Sequence, residues 1–263
     1  MTTPHTDPTP AAASGRGLLE DKVAVITGAG AGIGAVTARR FVEEGARVLV
    51  SDMSGDEVQV TAALGAAAEP FHVDVTSESE IEAAFDHAVE VFGRVDVLVN
   101  IAGNPGSRRG PEVTEEEYHA ITDVHLRGTL MTNKHAARVM IAGGRGGAIV
   151  NFSSAASFGV DGKVSVAYSA AKAGVNAATR SNAVQYGGHG IRVNAIAPGF
   201  TTSLMHHGIS PEALAVLDAK SALGRSAESE EQANVAVFLA SELASFVTGA
   251  ILPVDGGWTV RLA

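Results

Sequence analysis

Two side chains capable of acid/base chemistry, Tyr168 and Lys172, stand four residues apart in a helical stretch. Residues at this spacing lie on one face of a helix, so the phenol and the ammonium are predicted to be neighbours. Free tyrosine titrates near about 10, and lowering that pKa by about three units requires roughly 4 kcal/mol of phenolate stabilisation. An ammonium about 4 Å away supplies energy of that order at an effective dielectric near 20. The pair therefore predicts a tyrosine that acts as a general acid/base near neutral pH.

Two serines, Ser153 and Ser154, end an apolar run upstream of this helix. A hydroxyl at that position can hydrogen-bond the oxygen of a substrate and orient it for proton transfer. The alternative is a pair of ordinary turn serines. No G-x-S-x-G motif surrounds them, which argues against a serine nucleophile.

A glycine-rich loop, Thr27-Gly28-Ala29-Gly30-Ala31-Gly32-Ile33-Gly34, follows the first apolar run and precedes a helical stretch. Glycines in this context let the chain turn sharply and let backbone N–H groups approach a pyrophosphate at a helix N-terminus. The loop therefore predicts a dinucleotide site. Its binding residues are predicted to be Gly28, Gly30, Ala31, Gly32, Ile33 and Gly34.

Acidic residues at the ends of the next two apolar runs bear on the choice of cofactor. Asp52 can accept hydrogen bonds from ribose hydroxyls and would repel a 2′-phosphate, and neither Ser51 nor Met53 supplies a cation. NAD is therefore favoured over NADP, with Asp52 and Met53 at the adenosine. Asp74 and Val75 are placed to hold the adenine, although Asp74 could equally cap the helix that follows.

Seven apolar runs, most of them near-continuous in Val, Ile and Leu, are separated by helical stretches. Strands buried on both faces have this pattern, which indicates a parallel sheet covered by helices. The runs are Val23–Thr27, Arg47–Asp52, Phe71–Val75, Val95–Asn100, Ala148–Ser153, Ile191–Ala197 and Ala250–Val254. The helical stretches are 32–44, 54–65, 78–92, 114–142, 167–187 and 228–243. The alternation predicts an α/β fold, a doubly wound (Rossmann-like) parallel sheet of about seven strands with helices on both faces.

Length and composition indicate the class of protein. With 263 residues, 46% of them hydrophobic, a single catalytic domain over 20–263 can bury its own core, and we expect a disordered tail over 1–19. The formal charge of −10 argues against nucleic acid as a partner. Cysteine is absent, as is any long run of uncharged apolar residues, so we expect no disulfide, no membrane span and a cytoplasmic location.

The stretch from Phe200 to Arg225 is too long for an ordinary connection between a strand and a helix. We interpret it as a substrate lid at about 200–225, with a surface excursion as the alternative. Its apolar residues favour a hydrophobic or cyclic alcohol or ketone as substrate; they are Phe200, Leu204, Met205, Ile209, Leu214 and Leu217. His206 and His207 lack a third ligand nearby and are interpreted as lid residues, so we expect no metal site.

Together these motifs resemble the short-chain dehydrogenase/reductase family of the single-domain type, across residues 20–260. The matching pieces are TGAGAGIG at 27–34, D at 52, DV at 74–75, NIAG at 100–103, SS at 153–154, YSAAK at 168–172, NAIAPG at 194–199 and VDGG at 254–257. The resemblance implies a catalytic set of Ser154, Tyr168 and Lys172, with Lys172 also binding the nicotinamide ribose. It places Pro198, Gly199, Phe200 and Thr201 beside the nicotinamide, and Asn100, Ala102 and Gly103 in support of the cofactor. It also implies a homotetramer that pairs the stretches 114–142 and 167–187 across two-fold interfaces.

Three positions depart from the family pattern. Ile101 stands where relatives have a second asparagine, and Ser154 lies fourteen positions before Tyr168, one more than in many relatives. His125 stands where relatives place an asparagine that holds a water in a proton relay. Because histidine titrates near neutrality, we hypothesise that His125 takes over the relay and makes the rate depend on its own pKa. A helix histidine without a catalytic part is the alternative.

The function expected from these residues is NAD-dependent interconversion of a secondary alcohol and a ketone, with Tyr168 as the acid/base. A 3-oxoacyl-thioester ketoreductase is a second possibility, against which Asp52 argues because that activity favours NADPH. A redox-inactive NAD-binding sensor is a third.

Overall fold

The computed structural model of the chain describes residues 17–104, 110–159, 164–202 and 210–261. The strands are β1 (Val23–Thr27), β2 (Arg47–Asp52), β3 (Ala68–His72), β4 (Val97–Asn100), β5 (Gly147–Phe152), β6 (Ile191–Pro198), β7 (Thr201–Thr202), β8 (Ala227–Glu228) and β9 (Ile251–Val254). The helices are α1 (Gly32–Glu43), α2 (Glu57–Leu64), α3 (Glu78–Phe92), α4 (Glu115–Thr122), α5 (Thr129–Gly143), α6 (Val166–Gly187), α7 (Pro211–Asp218) and α8 (Ser229–Ala240).

Seven of these strands form one parallel sheet in the order β3-β2-β1-β4-β5-β6-β9, while β7 and β8 form a separate short pair. The chain winds outward from β1 to β3 and then returns to lay β4 on the other side of β1. The connections that follow β1 and β4 therefore run in opposite directions along the sheet. This makes a topological switch point at the carboxyl ends of the two strands, where open α/β sheets bind ligands. The predicted fold class is confirmed.

Alternate residues of each central strand enter two separate cores. Ala24 and Ile26 of β1 face α1 and α8, where Phe41 is fully buried. Val25 faces the other side, against α3 and α5, where Phe85 is buried. Burial on both faces explains why the strands are continuously apolar in sequence.

The third strand begins and ends three residues before the predicted Phe71–Val75. It pairs with β2 from Ala68 opposite Val48 to His72 opposite Asp52, and includes Pro70. Because β3 lies at one edge of the described sheet, the N–H that Pro70 lacks is not missing from a ladder between central strands. Asp74 and Val75 consequently lie beyond the strand rather than at its end.

The predicted helix over 114–142 is interrupted. A π-helical turn, Asp123–Gly128, joins α4 to α5, and it contains His125. Such turns insert an extra residue into a helix and often occur at functional sites. Hydrophobic periodicity did not reveal it.

The amino-terminal boundary also differs from the prediction. Leu19, assigned to the disordered tail, is fully buried in the core beside α1. Its N–H donates to the carbonyl of Glu44 at 2.9 Å. Residues 1–16 lie outside the described part of the chain.

None of the helices in the described ranges is both long enough and apolar enough to cross a membrane.

The two-core arrangement predicts the effect of truncating Phe85. The Phe85 side chain is 2% exposed, so Phe85→Ala should lower the free energy of unfolding by about 3–5 kcal/mol. Val58→Ala on α2, where the side chain is 57% exposed, should change it by less than about 0.5 kcal/mol. Urea denaturation followed by circular dichroism measures both values. Equal losses for the two variants would contradict this assignment of the core.

Candidate active site

A cavity of about 620 Å³ lies at the carboxyl ends of the strands. The glycine loop and Asp52 border one end of it, and Ser154, Tyr168 and Lys172 border the other. Of the predicted catalytic and cofactor-binding residues, all line this cavity except Gly30 and Asn100. The sheet therefore gathers residues that are up to 173 positions apart into one site, from Gly28 to Thr201.

The glycine loop leaves the N-terminus of α1 open. Ala31 precedes the helix without a side-chain cap, and the first turn holds no acidic residue, so the N–H groups there are available to an anion. A Cβ at Gly34 would lie 1.9 Å from the carbonyl oxygen of Gly28, and one at Gly28, where φ is +70°, would lie 2.6 Å from Ala102. Only glycine permits this packing, which fits the residues to a bound pyrophosphate.

Asp52 is held against the glycine loop by backbone groups. One carboxylate oxygen accepts from the N–H of Gly30 at 2.8 Å, and the other accepts from the N–H of Ser54 at 2.9 Å. A Cβ on Gly30 would come within 2.9 Å of the carboxyl carbon. Gly30 therefore contributes by positioning Asp52 rather than by lining the cavity.

Asp74 is engaged locally. One of its carboxylate oxygens accepts from both the N–H and the hydroxyl of Thr76, at 2.8 Å each, and the N–H of Asp74 donates to Glu80 at 2.9 Å. These bonds form a turn before α3, whose N-cap is Ser77, so the alternative that Asp74 caps the helix is wrong. Val75 is buried and packs against Gly128 of the π turn. Both residues line the cavity, and an adenine contact stays a prediction.

Asn100, which was predicted to support the cofactor, does not line the cavity. Its amide nitrogen donates to Asn133 and Asn151 at 2.9 Å each, and its oxygen accepts from Thr132 at 2.7 Å. Asn151 in turn donates to Thr179 of α6 at 3.0 Å. The amide group of Asn100 is thus hydrogen-bonded within a buried network that connects β4 and β5 to α5 and α6. Asn100 supports the site from behind.

The segment after β6 is fixed by a buried glutamine. The Gln232 amide nitrogen donates to the hydroxyl of Thr201 at 3.2 Å and to the carbonyl of Val254 at 3.0 Å. Gly199 approaches Asp255 so closely that a Cβ would lie 2.7 Å from its Cα. These contacts place Pro198 through Thr201 at the cavity wall. Gln232 was not identified from the sequence.

Tyr168, Ser154 and Lys172 form the predicted cluster. The hydroxyl groups of Tyr168 and Ser154 are hydrogen-bonded to each other. Lys172 is buried, and its Nζ donates to the carbonyl of Phe152 at 2.6 Å and lies 5.8 Å from the centre of the Tyr168 ring.

The pKa values of this cluster differ from what the sequence predicts. Burial raises the pKa of Tyr168 above its ordinary value, and the hydrogen bond with Ser154 offsets only part of that rise. Burial also lowers the pKa of Lys172 to about 7. The prediction that Lys172 alone depresses the tyrosine pKa is wrong for the protein without a ligand, because desolvation outweighs the charge.

The structure distinguishes the two serines. Ser153 is buried, and its hydroxyl donates to the carbonyl of Lys172 at 3.1 Å, so it joins β5 to α6. Ser157 reinforces this junction by donating to the carbonyl of Ser154 at 2.6 Å and accepting from the Asn176 amide at 2.8 Å. Asn176 was missed, although its spacing of four from Lys172 places it on the same helix face. Ser154 is thereby left facing Tyr168.

His125 lies between the π turn and the catalytic tyrosine. Its ring meets that of Tyr168 edge-to-face, with centres 5.1 Å apart, and a Cβ on Gly103 would come within 2.5 Å of its Cε1. Nε2 lies 2.8 Å from the carbonyl oxygen of Asn104, to which it donates. Burial, with the charge of Lys172, lowers the pKa of His125 to about 3. The expectation that it titrates near neutrality is wrong, whereas a relay through the neutral ring stays a prediction.

Part of the predicted lid can be placed. Helix α7 spans Pro211–Asp218 and has no buried residue, while Leu204, Met205, Ile209 and the histidines His206 and His207 lie outside the described residues. Among residues that are described, no group of three or more His, Asp or Glu side chains is arranged to hold a metal ion.

Comparison with known proteins adds a family to this geometry. A family model described as enoyl-(acyl carrier protein) reductase matches residues 28–259. The chain is 44% identical over 245 residues to cis-4-hydroxycyclohexanecarboxylate dehydrogenase of Sinomonas cyclohexanicum, which covers 91% of this chain and 97% of that protein. It is 36% identical over 247 residues to the 3-oxoacyl-(acyl-carrier-protein) reductase of Thermotoga maritima, which covers 92% and 99%.

A solved structure shows the same architecture. A proposed gluconate dehydrogenase from Agrobacterium tumefaciens superimposes with a TM-score of 0.87 at 33% identity, over 93% of this chain and 98% of that one. The Sinomonas and Agrobacterium proteins are named as dehydrogenases and the Thermotoga protein as a reductase, so all three names describe oxidoreductases. Because these proteins match it along nearly its full length, the chain belongs to the short-chain dehydrogenase/reductase family and is an oxidoreductase with a nicotinamide cofactor.

Proposed function

We propose that the protein is an NAD-dependent dehydrogenase that interconverts a secondary alcohol and a ketone, with Tyr168 as the general acid/base. The observation that carries this proposal is the cavity itself. One end of the cavity has the open N-terminus of α1 and the Asp52 carboxylate, which suit a dinucleotide. The other end has the hydrogen-bonded Tyr168 and Ser154 together with the buried Lys172.

The residues have separate roles in alcohol oxidation. The Tyr168 oxygen takes the proton of the substrate hydroxyl while the Ser154 hydroxyl donates to the same substrate oxygen. Bound NAD would supply the acceptor for the hydride that leaves the carbinol carbon. Lys172 would hold the nicotinamide ribose and stabilise the phenolate. In ketone reduction Tyr168 returns the proton.

Tyr168 is the third residue of α6, and this position favours its phenolate. The positive end of the helix dipole stabilises a negative charge in the first turn by about 0.3–1 kcal/mol. The ammonium of Lys172, whose Nζ lies 5.8 Å from the ring centre, also stabilises the phenolate when it is protonated. Together these terms oppose the desolvation that raises the tyrosine pKa.

The walls of the catalytic end favour an apolar substrate skeleton. Val124, Val164 and Phe200 line it, and the relative from Sinomonas acts on a substituted cyclohexane ring according to its name. We therefore propose a cyclic or otherwise hydrophobic alcohol. The lid over 200–225, the homotetramer and the cytoplasmic location remain predictions from the sequence.

Replacing Tyr168 by Phe tests the acid/base role. Tyr168→Phe should lower kcat by about 100- to 10,000-fold, the usual contribution of general acid/base catalysis. NADH formation from a panel of cyclic secondary alcohols measures it, with NADH binding by fluorescence as the control that should change little. If wild-type protein binds NADH but turns over neither alcohols nor ketones, a redox-inactive sensor is the better account.

Asp52→Asn tests the cofactor choice, because asparagine removes the charge and keeps an acceptor for one of the two N–H groups, those of Gly30 and Ser54, that bind Asp52. The preference of kcat/KM for NAD over NADP should fall by about tenfold or more, since the repulsion of the 2′-phosphate is lost. Parallel assays with both cofactors measure the ratio. A wild-type preference for NADP would oppose the proposal and favour the thioester ketoreductase, an activity that the Thermotoga relative carries by name.

The low pKa of Lys172 predicts how stability depends on pH. Below about pH 7 the lysine is charged in both folded and unfolded chains, and its burial costs the folded state most. Above that pH the folded lysine loses its proton while the unfolded one keeps it up to about 10.5, so the wild type gains stability as pH rises.

Lys172→Met removes this titration at similar volume. The variant should exceed the wild type in unfolding free energy at about pH 7, and the gap should narrow by at most about 1.4 kcal/mol per unit as pH rises to about 9. Urea denaturation at a series of pH values gives both curves. A constant gap would contradict the lowered pKa.

A further inference from the structure

The N-terminus of α6 faces the catalytic end of the cavity. Val164, Ser165 and Tyr168, which lie just before it or in its first turn, all line the cavity. The first N–H groups of a helix have no partner within the helix, and in this 22-residue helix the preceding Ser165 side chain does not cap them. Hydrogen-bond donors and the positive end of a helix dipole therefore meet at the substrate wall.

A second observation at this point is independent of the helix. The Ser165 side chain is 3% exposed, and its hydroxyl oxygen has no hydrogen-bond partner among the described residues. A buried hydroxyl without a partner is costly unless a bound group supplies one. Ser165 can donate to an oxygen of a ligand in the cavity.

The charges along the cavity favour an anion at this end. Among the described lining residues, both carboxylates belong to the nucleotide end, Asp52 at the end of β2 and Asp74 after β3. Strand β2 stands three strand positions from β5, which leads to the catalytic end, or about 14 Å. The charged side chain described at the catalytic end is Lys172, a cation when protonated.

We propose that Ser165 and the first N–H groups of α6 bind a carboxylate of the substrate, so that the enzyme acts on a hydroxy acid rather than on a neutral alcohol. One carboxylate oxygen accepts from the Ser165 hydroxyl and the other accepts from the helix N–H groups. This inference rests on the proposed function, because it assigns the substrate class of the same site.

The spacing of the two groups limits the kind of hydroxy acid. Ser165 and Tyr168 are three residues apart, a rise of about 4.5 Å along the helix. The carboxylate therefore lies several bonds from the carbinol carbon whose hydroxyl meets Tyr168. A ring with the two groups on opposite sides fits this separation.

The test uses two substitutions that differ in charge alone. Asp and Asn both cap helices well, so the Ser165→Asp and Ser165→Asn variants should have similar unfolding temperatures. Asp places a negative charge where the substrate carboxylate binds, and Asn does not. The probes are cyclohexanecarboxylate and its neutral amide, titrated by calorimetry into the enzyme–NADH complex.

We expect wild-type enzyme to bind the carboxylate about tenfold or more tightly than the amide. Ser165→Asp should weaken carboxylate binding by about tenfold or more relative to Ser165→Asn, while the two variants bind the amide alike. Equal binding of acid and amide by the wild type, no binding of the acid, or equal acid binding by the two variants would overturn the proposal.

Binding is measured without turnover, so the anion subsite and the dehydrogenase activity are tested separately. Oxidation of cyclohexanol with NAD, together with no preference for the carboxylate probe, would remove the anion subsite and leave the proposed function standing. Carboxylate binding that depends on Ser165, in a protein that oxidises neither cyclohexanol nor cis-4-hydroxycyclohexanecarboxylate, would keep the subsite and count against the dehydrogenase activity.

Discussion

Lys172 is buried at the junction of β5 and α6, and the geometry of the catalytic end depends on that burial. Its Nζ donates to the carbonyl of Phe152, while its own carbonyl accepts from Ser153. These two bonds cross between the last residues of the strand and one turn of the helix. They fix where Ser154 leaves the strand and where Tyr168 stands on the helix. The same burial lowers the pKa of the lysine to about 7, so the residue that orders the site is also near its titration point.

The tyrosine is subject to opposing influences, of which desolvation is the largest. Desolvation raises its pKa, whereas the hydrogen bond with Ser154, the N-terminus of α6 and the charge of Lys172 favour the phenolate. His125 packs against the ring without contributing charge, because burial and Lys172 keep it neutral. We infer that the balance shifts when a positively charged cofactor and its ribose hydroxyls enter the cavity. Tyr168 would then become a base when the cofactor is bound.

The sheet and the main site were predictable because their signals are local and repeated. Continuously apolar strands, a glycine loop after the first strand and a Tyr–Lys pair on one helix face each have one physical explanation. The edge strand β3 was misplaced because Pro70 disfavours central strands but is tolerated at an edge. The π turn was missed because one inserted residue barely alters hydrophobic periodicity. The buried network of Asn100 and the low pKa of His125 were not predicted, because they depend on burial and on partners 21 to 51 positions away.

In the proposed mechanism Tyr168 exchanges the proton, and its environment, completed by the cofactor, sets its pKa. The most direct measurement is the pH titration of tyrosinate absorbance in wild type minus Tyr168→Phe, with and without bound NAD. The account predicts that Tyr168 titrates above its ordinary value near about 10 without NAD and at least about one unit lower with it. A titration that NAD leaves unchanged would contradict the account.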